Sequence, residues 1–287
     1  MKKIVVLFLL LCMILSLAAC GKVEISMQEI YDASQTESLL KNHENVYIRN
    51  EMDGEIWAET YLTKGCAYEY IPGAESSFAQ FMTDNVKYTY SNGDYLRYLF
   101  ITPDGVGDFA SDRAEHYASV ILGEEALGDI IESVSKKDGR ITVKSLLGEE
   151  FLTADDGLTS GKTEYVLDAK THELISVITD YTYEDGTVFQ VGTEVTYDAE
   201  VPEALKEFLA YENQTENLRN ITVVSNPGTE KEVSQSFQIP KGLIIGFTWD
   251  DAFTDKVEIC SNAACTEAYD PYADTESDLT IYIKWAM

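Results

Sequence analysis

Cysteine, histidine and basic side chains are all scarce in this chain, and each shortage removes a class of function. Five cysteines and three histidines occur in 287 residues, and 21 lysines and arginines stand against 50 aspartates and glutamates. The formal charge of −29 repels nucleic acid and anionic membrane surfaces and favours cations or basic partners, so nucleic-acid binding is set aside. A solvated acidic surface is the simplest reading of that charge. Catalytic signatures are missing as well: there is no Gly-x-Ser-x-Gly, no His-Glu-x-x-His and no glycine-rich phosphate loop. His116 and His172 read as surface or internally satisfied histidines, and the three histidines lie too far from Cys260 and Cys265 in sequence to favour zinc. The acid pairs Glu124-Glu125, Asp155-Asp156 and Asp250-Asp251 are expected by chance in so acidic a chain. The sequence therefore predicts a binding protein with no cofactor and no metal, not an enzyme.

Long apolar runs are also lacking, except for one at the N-terminus. Lys2 and Lys3 precede an apolar stretch over residues 4–17, followed by Leu17-Ala18-Ala19-Cys20-Gly21. That stretch is short for a stable membrane helix and has the flanks of a signal peptide. The small residues before Cys20 resemble the lipobox of bacterial lipoproteins. The resemblance implies that residues 1–19 are removed, that Cys20 carries a diacylglyceryl group, and that residues 20–25 form a tether to the outer leaflet. The plainer alternative is an ordinary secretory signal cut near Ala19. Two acyl chains, at about 0.8 kcal/mol per buried CH₂, make the implied attachment durable. The partner so predicted is the membrane, reached through the lipid on Cys20, and the folded part is expected outside the cytoplasm.

Of the remaining thiols, Cys260 and Cys265 enclose four residues and are placed to pair across a hairpin, while Cys66 falls in an alternating pattern and reads as a small buried apolar residue. Asp270, Asp274, Glu276 and Asp278 share one loop and make calcium the better inorganic candidate, but EF-hand spacing is absent and a solvated loop is simpler.

Along the chain, Ser26 and Glu29 form a capping box for a first helix that offers Met27, Ile30, Leu39 and Leu40 to a core. Residues 46–101 alternate with period two, and Asp53-Gly54 and Asn92-Gly93 fall between runs as hairpin signals. Both faces are bulky: Ile56, Ala58, Thr60 and Leu62 alternate with Trp57, Glu59 and Tyr61, so both faces are expected to be sheltered. Residues 105–137 read as two helical segments, the second marked by Leu127, Ile130, Ile131 and Val134 and stopped by Asp138-Gly139. Strands return over residues 140–197, with Glu184-Asp185-Gly186 as a third hairpin signal and Val177, Tyr181, Phe189 and Val195 on a dry face. A short helix follows Pro202, residues 213–220 read as a linker, and residues 221–287 as a second module.

The order of helix, meander, helical insertion and ribbon over residues 26–212, with its Asp168-Ala169-Lys170-Thr171 phrase between strands, resembles the LolA and LolB lipoprotein-carrier fold. The ending Leu279-Thr280-Ile281-Tyr282-Ile283-Lys284-Trp285 resembles the Listeria-Bacteroides repeat, a β-grasp module of surface proteins also called the internalin B-repeat. These resemblances imply an α+β fold, a curved antiparallel half-barrel covered by helices and followed by a small β-grasp-like domain. They imply an apolar cavity, for which Tyr61, Tyr68, Tyr98, Phe100, Tyr181 and Phe189 are the candidate lining, holding a hydrophobic ligand or lipid. The alternative is a surface interaction protein that recognises a protein or cell-wall glycan through its C-terminal module.

Overall fold

The computed structural model describes residues 24–73, 77–83, 86–107, 121–149, 152, 157–250, 252, 254 and 256–286. Cys20 and its lipobox, His116, Asp251, the Asp155-Asp156 pair and the helical segment expected over residues 110–118 lie outside the described residues. In chain order the elements are α1 (Met27–Ser34), α2 (Thr36–Leu39), β1 (Asn45–Met52), β2 (Glu55–Thr63), β3 (Ala67–Ile71), β4 (Phe78–Met82), β5 (Lys87–Ser91), β6 (Asp94–Thr102) and β7 (Gly105–Gly107). A 3₁₀ turn at Glu124–Gly128 leads to β8 (Ile130–Lys137), β9 (Arg140–Leu146), β10 (Leu158–Asp168), β11 (Leu174–Tyr183) and β12 (Val188–Tyr197). Helix α3 (Glu203–Glu212) precedes β13 (Leu218–Ser225), β14 (Val233–Pro240), β15 (Ile244–Thr248), β16 (Val257–Cys260) and β17 (Leu279–Trp285).

The expected α+β class with a sheet covered by helices is therefore corrected to a mostly antiparallel β architecture, whose described α-helices are three short ones. The clearest departure is β8. Ile130, Ile131 and Val134 fit a helical stripe, but β-branched residues lose rotamer freedom in helices and suit a pleated surface. Asp138 and Gly139, with φ of 52° and 75°, do not stop a helix; they turn a hairpin that pairs β8 with β9.

The chain divides into two compact units, Met1–Ser34 with Glu124–Val188, and Gln35–Gly123 with Phe189–Met287. In the first, α1 begins at the capping box: the Glu29 N–H donates to Ser26 Oγ at 3.2 Å and the Ser26 N–H to Glu29 Oε2 at 2.9 Å. The helix buries Met27 and Ile30 and packs on the 3₁₀ turn and on β11. Strands β8 to β11 form successive antiparallel pairs, and the inward positions Ile141, Val143, Tyr165 and Leu167 are buried. Among the described residues, one carboxylate is buried inside this unit. Asp129 accepts from the Tyr165 hydroxyl at 2.8 Å, the Ser145 hydroxyl at 3.2 Å and the Gly148 N–H at 3.3 Å, which offsets the cost of its burial.

The second unit holds the strands β15-β6-β5-β4-β3-β2-β1-β12 in that spatial order, with β7 beside β6, and a four-stranded sheet β14-β13-β17-β16. Pairing is antiparallel except for β15 with β6 and β13 with β17. Alternate residues build two cores. Val46, Ile48, Leu62 and Met82 join Leu39 and Leu40 on one face. Tyr61, Tyr68, Phe81, Tyr88 and Ile101 point the other way, where Leu205 and Phe208 of α3 and Ile221, Val223, Ile281 and Trp285 of the four-stranded sheet cover them. This is why the strands carry bulky groups on both faces.

Residues 221–287, expected as a module of their own, thus share the core of the second unit and lend it β15. Gly246 on β15 lies under the Tyr98 ring, so closely that an added Cβ would sit 2.7 Å from a ring carbon. Within the tail, Arg219 is only 1% exposed and donates to the carbonyls of Asp274 at 2.8 Å and Leu243 at 2.9 Å, fixing the loop before β17. Cys260 and Cys265 are joined in a disulfide with Cα atoms 5.1 Å apart. Among the described residues no helix is long and apolar enough to cross a membrane.

Candidate functional site

The Asn92-Gly93 turn, with φ of 55° and 93°, pairs β5 with β6 so that Tyr90 lies opposite Tyr95. Further along the same face, Tyr90 is opposite Ala79 of β4, and Ala79 is opposite Tyr70 of β3. Four neighbouring positions therefore read Tyr70, Ala79, Tyr90, Tyr95 across the sheet. Strands two apart are separated by roughly 9–10 Å. Ala79 places only a methyl between Tyr70 and Tyr90, and that methyl is buried.

Helix α3 covers this row. Pro202, with φ −56° and ψ 144°, precedes the first turn, and the Leu205 and Phe208 face is buried against the sheet. Phe208 meets Tyr68, Phe81 and Tyr88 at centroid distances of 6.3, 6.1 and 6.0 Å and Tyr95 edge-on at 5.7 Å. Two hydroxyl-to-carboxylate bonds hold the helix to the sheet: Tyr88 donates to Glu212 Oε2 at 2.9 Å, and Tyr95 donates to Glu207 Oε2. Burial, followed by the Glu207 carboxylate, raises the phenol pKa of Tyr95, and burial above all raises that of Tyr88 although Arg97 opposes it.

What remains between helix and sheet is an open groove of about 650 Å³. It is lined by Tyr70, Ala79, Tyr90, Tyr95, Glu207 and Phe208, with Ser77, Asn92, Gly93 and Ala204 at its rim. Its volume falls in the range of small-molecule sites, and its mixture of aromatic walls with one carboxylate suits a ligand with an apolar body and a polar end.

Of the six residues expected to line a cavity, Tyr61 and Tyr68 lie opposite one another across β2 and β3, and Tyr98 and Phe100 share the other face of the sheet. Tyr61 and Tyr68 are buried in the core beneath α3, and Tyr68 touches Phe208 there. Tyr98 and Phe100 point to the opposite face, where Tyr98 joins Phe78, Lys87, Phe247 and Tyr272 around a second groove of about 450 Å³. Phe189 lies on β12 of the second unit, and Tyr181 belongs to the first unit, opposite Gly161. The groove residues Tyr70, Tyr90, Tyr95 and Glu207 are not among those expected from sequence, although the tyrosines flanking the Asn92-Gly93 turn are a signal for two of them, Tyr90 and Tyr95.

The other candidates have local partners. His43 Nδ1 lies 2.8 Å from Asp198 Oδ2, and its ring packs on Tyr197 at 4.4 Å. His172 sits at φ 60° in the turn between β10 and β11. In the acidic loop, Asp270 accepts from the Tyr272 N–H at 3.0 Å, Asp274 from the N–H groups of Glu276 and Ser277 at 2.8 and 2.9 Å, and Asp278 from the Asn220 N–H at 2.7 Å. Those oxygens shape turns, and among the described residues no group of three or more potential ligands is placed to hold a metal ion.

No protein-family model matches the sequence, and no curated protein matches it. Among solved structures, the chain is similar to a LolA superfamily protein from Nitrosomonas europaea, at 11% identity and a TM-score of 0.24, over 63% of this chain and 97% of that one. It is also similar to MucB, at 12% identity and a TM-score of 0.25, over 61% of this chain and 60% of that one. A structure of MucB in complex with MucA(peri) matches at 10% identity and a TM-score of 0.25, over 73% of this chain and 74% of that one.

Proposed function

We propose that this chain is an extracytoplasmic binding protein, tethered through a lipid on Cys20, that holds the apolar part of a small amphiphilic ligand in the groove between α3 and strands β3 to β6. The observation that carries the reading is the groove itself: the half-buried rings of Tyr70, Tyr90 and Tyr95, on a floor of buried Ala79 and Phe208, line an open space of about 650 Å³ beside α3. Each CH₂ buried there would contribute about 0.8 kcal/mol, enough for a short alkyl or ring system to bind measurably. A protein fixed by its own lipid presents or senses such a ligand at the membrane rather than carrying it away. The lipobox supports the tether, and the absence of hydrolytic or phosphate-binding signatures agrees with binding rather than catalysis.

The test is a titration of the unlipidated chain from residue 20, as Cys20→Ser, with the neutral fluorophore N-phenyl-1-naphthylamine. Saturable enhancement that weakens at least about tenfold in Ala79→Leu supports the reading. Unchanged binding in Ala79→Leu, or none in either protein, overturns it.

A further inference from the structure

The groove is more specific than an apolar cleft. Among the described residues that line it, Glu207 is the only charged one and none is a lysine or arginine. Glu207 Oε2 accepts from Tyr95, while no hydrogen bond or ion pair engages Oε1 among the described residues. The rings of Tyr70, Tyr90, Tyr95 and Phe208 line the same groove, with Tyr90 and Tyr95 tilted against each other at 4.8 Å. Aromatic faces carry negative potential and attract cations within about 6 Å of a ring centre, and they do so most effectively for poorly hydrated organic ammonium groups. A carboxylate with a free oxygen beside such faces adds charge attraction without the strong hydration competition that a bare metal ion would meet.

The chain already uses this chemistry one step along the same strands. Arg97, paired with Tyr88 in the register that pairs Tyr95 with Tyr90, holds its guanidinium 5.8 Å over the Tyr88 ring. The aromatic row is thus electrostatically suited to cations, and the net charge of −29 draws them to the surface. An anionic headgroup would meet Glu207 and the negative ring faces, and none of the described lining residues is a cation.

We infer that the ligand held in this groove carries an alkylated ammonium group, seated between Glu207 and the tyrosine faces, with its apolar portion running along Tyr70 and Tyr90. The inference rests on the groove reading above and narrows it to organic cations.

Three probes with one alkyl chain separate the two levels: decyltrimethylammonium, decyl maltoside and decyl sulfate, each below its micelle concentration, titrated calorimetrically into the unlipidated full mature chain in about 150 mM salt, where the Debye length of about 8 Å damps the general field. Decyltrimethylammonium is expected to bind at least about tenfold more tightly than the other two. That preference should collapse about tenfold in Glu207→Gln, which keeps an acceptor for Tyr95, and weaken in Tyr90→Leu, which keeps an apolar wall without a π face. Equal binding of the three probes, or an ammonium preference untouched by both variants, overturns the inference while leaving the groove reading intact. Binding of no probe overturns both. Circular-dichroism melts of the two variants establish that each is folded before titration.

Discussion

The Tyr88 hydroxyl donates a 2.9 Å hydrogen bond to Glu212 Oε2, joining strand β5 to the last residue of helix α3 across 124 positions of sequence. The bond sits beside the stack of Tyr88, Phe208 and Tyr211, so the roof of the groove is held by packing and by a charge-assisted hydrogen bond at once. Removing the hydroxyl in Tyr88→Phe leaves the ring in place and strips the carboxylate of its donor. Urea unfolding should show a loss of about 1–2 kcal/mol, with little change in slope. A loss below 0.5 kcal/mol, a figure at the low end of ~0.5–1.5 kcal/mol for ordinary hydrogen bonds, would mean that packing alone places the helix.

The same phenols predict an alkaline limit. Burial first, and neighbouring carboxylates in addition, raise the pKa of Tyr95 and Tyr165 in the folded state, and burial raises that of Tyr88 despite Arg97. A group whose folded pKa is raised contributes stability that is fully present below the unfolded value, about 10 for tyrosine, and is lost as pH rises toward the folded one. The melting temperature should therefore begin to fall above about pH 10. Phenolate absorbance near 295 nm should appear with unfolding for these residues, and titration of all tyrosines near pH 10 without unfolding would contradict the burial argument.

At the acid end, Asp274 behaves oppositely. The N–H groups of Ser277 and Glu276 bind its carboxylate and lower its pKa from 3.8 to about 2. Its contribution is present above the unfolded value and is lost as pH falls through about 2. Between about pH 4 and pH 2 the wild-type protein should lose stability that Asp274→Asn, lacking the titrating group, does not lose. Parallel acid-unfolding curves for the two proteins would remove this carboxylate from the account.

Inside the first unit, Tyr165→Phe should destabilise by about 2 kcal/mol. It deletes the Tyr165 donor to the buried Asp129 carboxylate and leaves that charge less compensated. Thr163→Val nearby removes a hydroxyl that bonds Thr179 at 3.0 Å and not the carboxylate, so its cost should be smaller. Chemical denaturation ranks the two, and the reverse order would contradict the role given to Asp129.

Gly246→Ala tests the close approach of β15 to β6. The new methyl would lie 2.7 Å from the Tyr98 ring, so that ring must move, at about 1–3 kcal/mol for an overpacked contact. The double variant with Tyr98→Leu should recover part of the loss in thermal melts; additivity of the two changes would show that the ring is not what the glycine accommodates.

These particular residues also show how far the sequence could be read. Asp53-Gly54, Asn92-Gly93 and Glu184-Asp185-Gly186 announce their hairpins because positive φ is expensive for other residues, and the structure puts Asp53, Gly54, Asn92, Gly93 and Gly186 at positive φ. The capping box at Ser26 and Glu29 is equally local. Ile130 to Lys137 reads as helix because Ile131 and Val134 have helical spacing; in the strand they share a face only through the register shift between Ile131 and Ser133, which pairing with β9 reveals. The groove needed two facts with no local signature: the register of β3 against β4, and the docking of α3 across more than a hundred residues. A candidate lining chosen from tyrosine-rich strands alone, as with Tyr61 and Tyr98, mixes residues that alternate to opposite faces.

The central claim is that ligand sits between α3 and strands β3 to β6. Hydrogen-exchange mass spectrometry of the unlipidated mature chain, with and without saturating decyltrimethylammonium, tests it most directly. Protection concentrated in residues 88–95 and 203–212 is the predicted result. Protection confined to residues 244–248 and 269–272, around the second groove, or no protection at all, would contradict it.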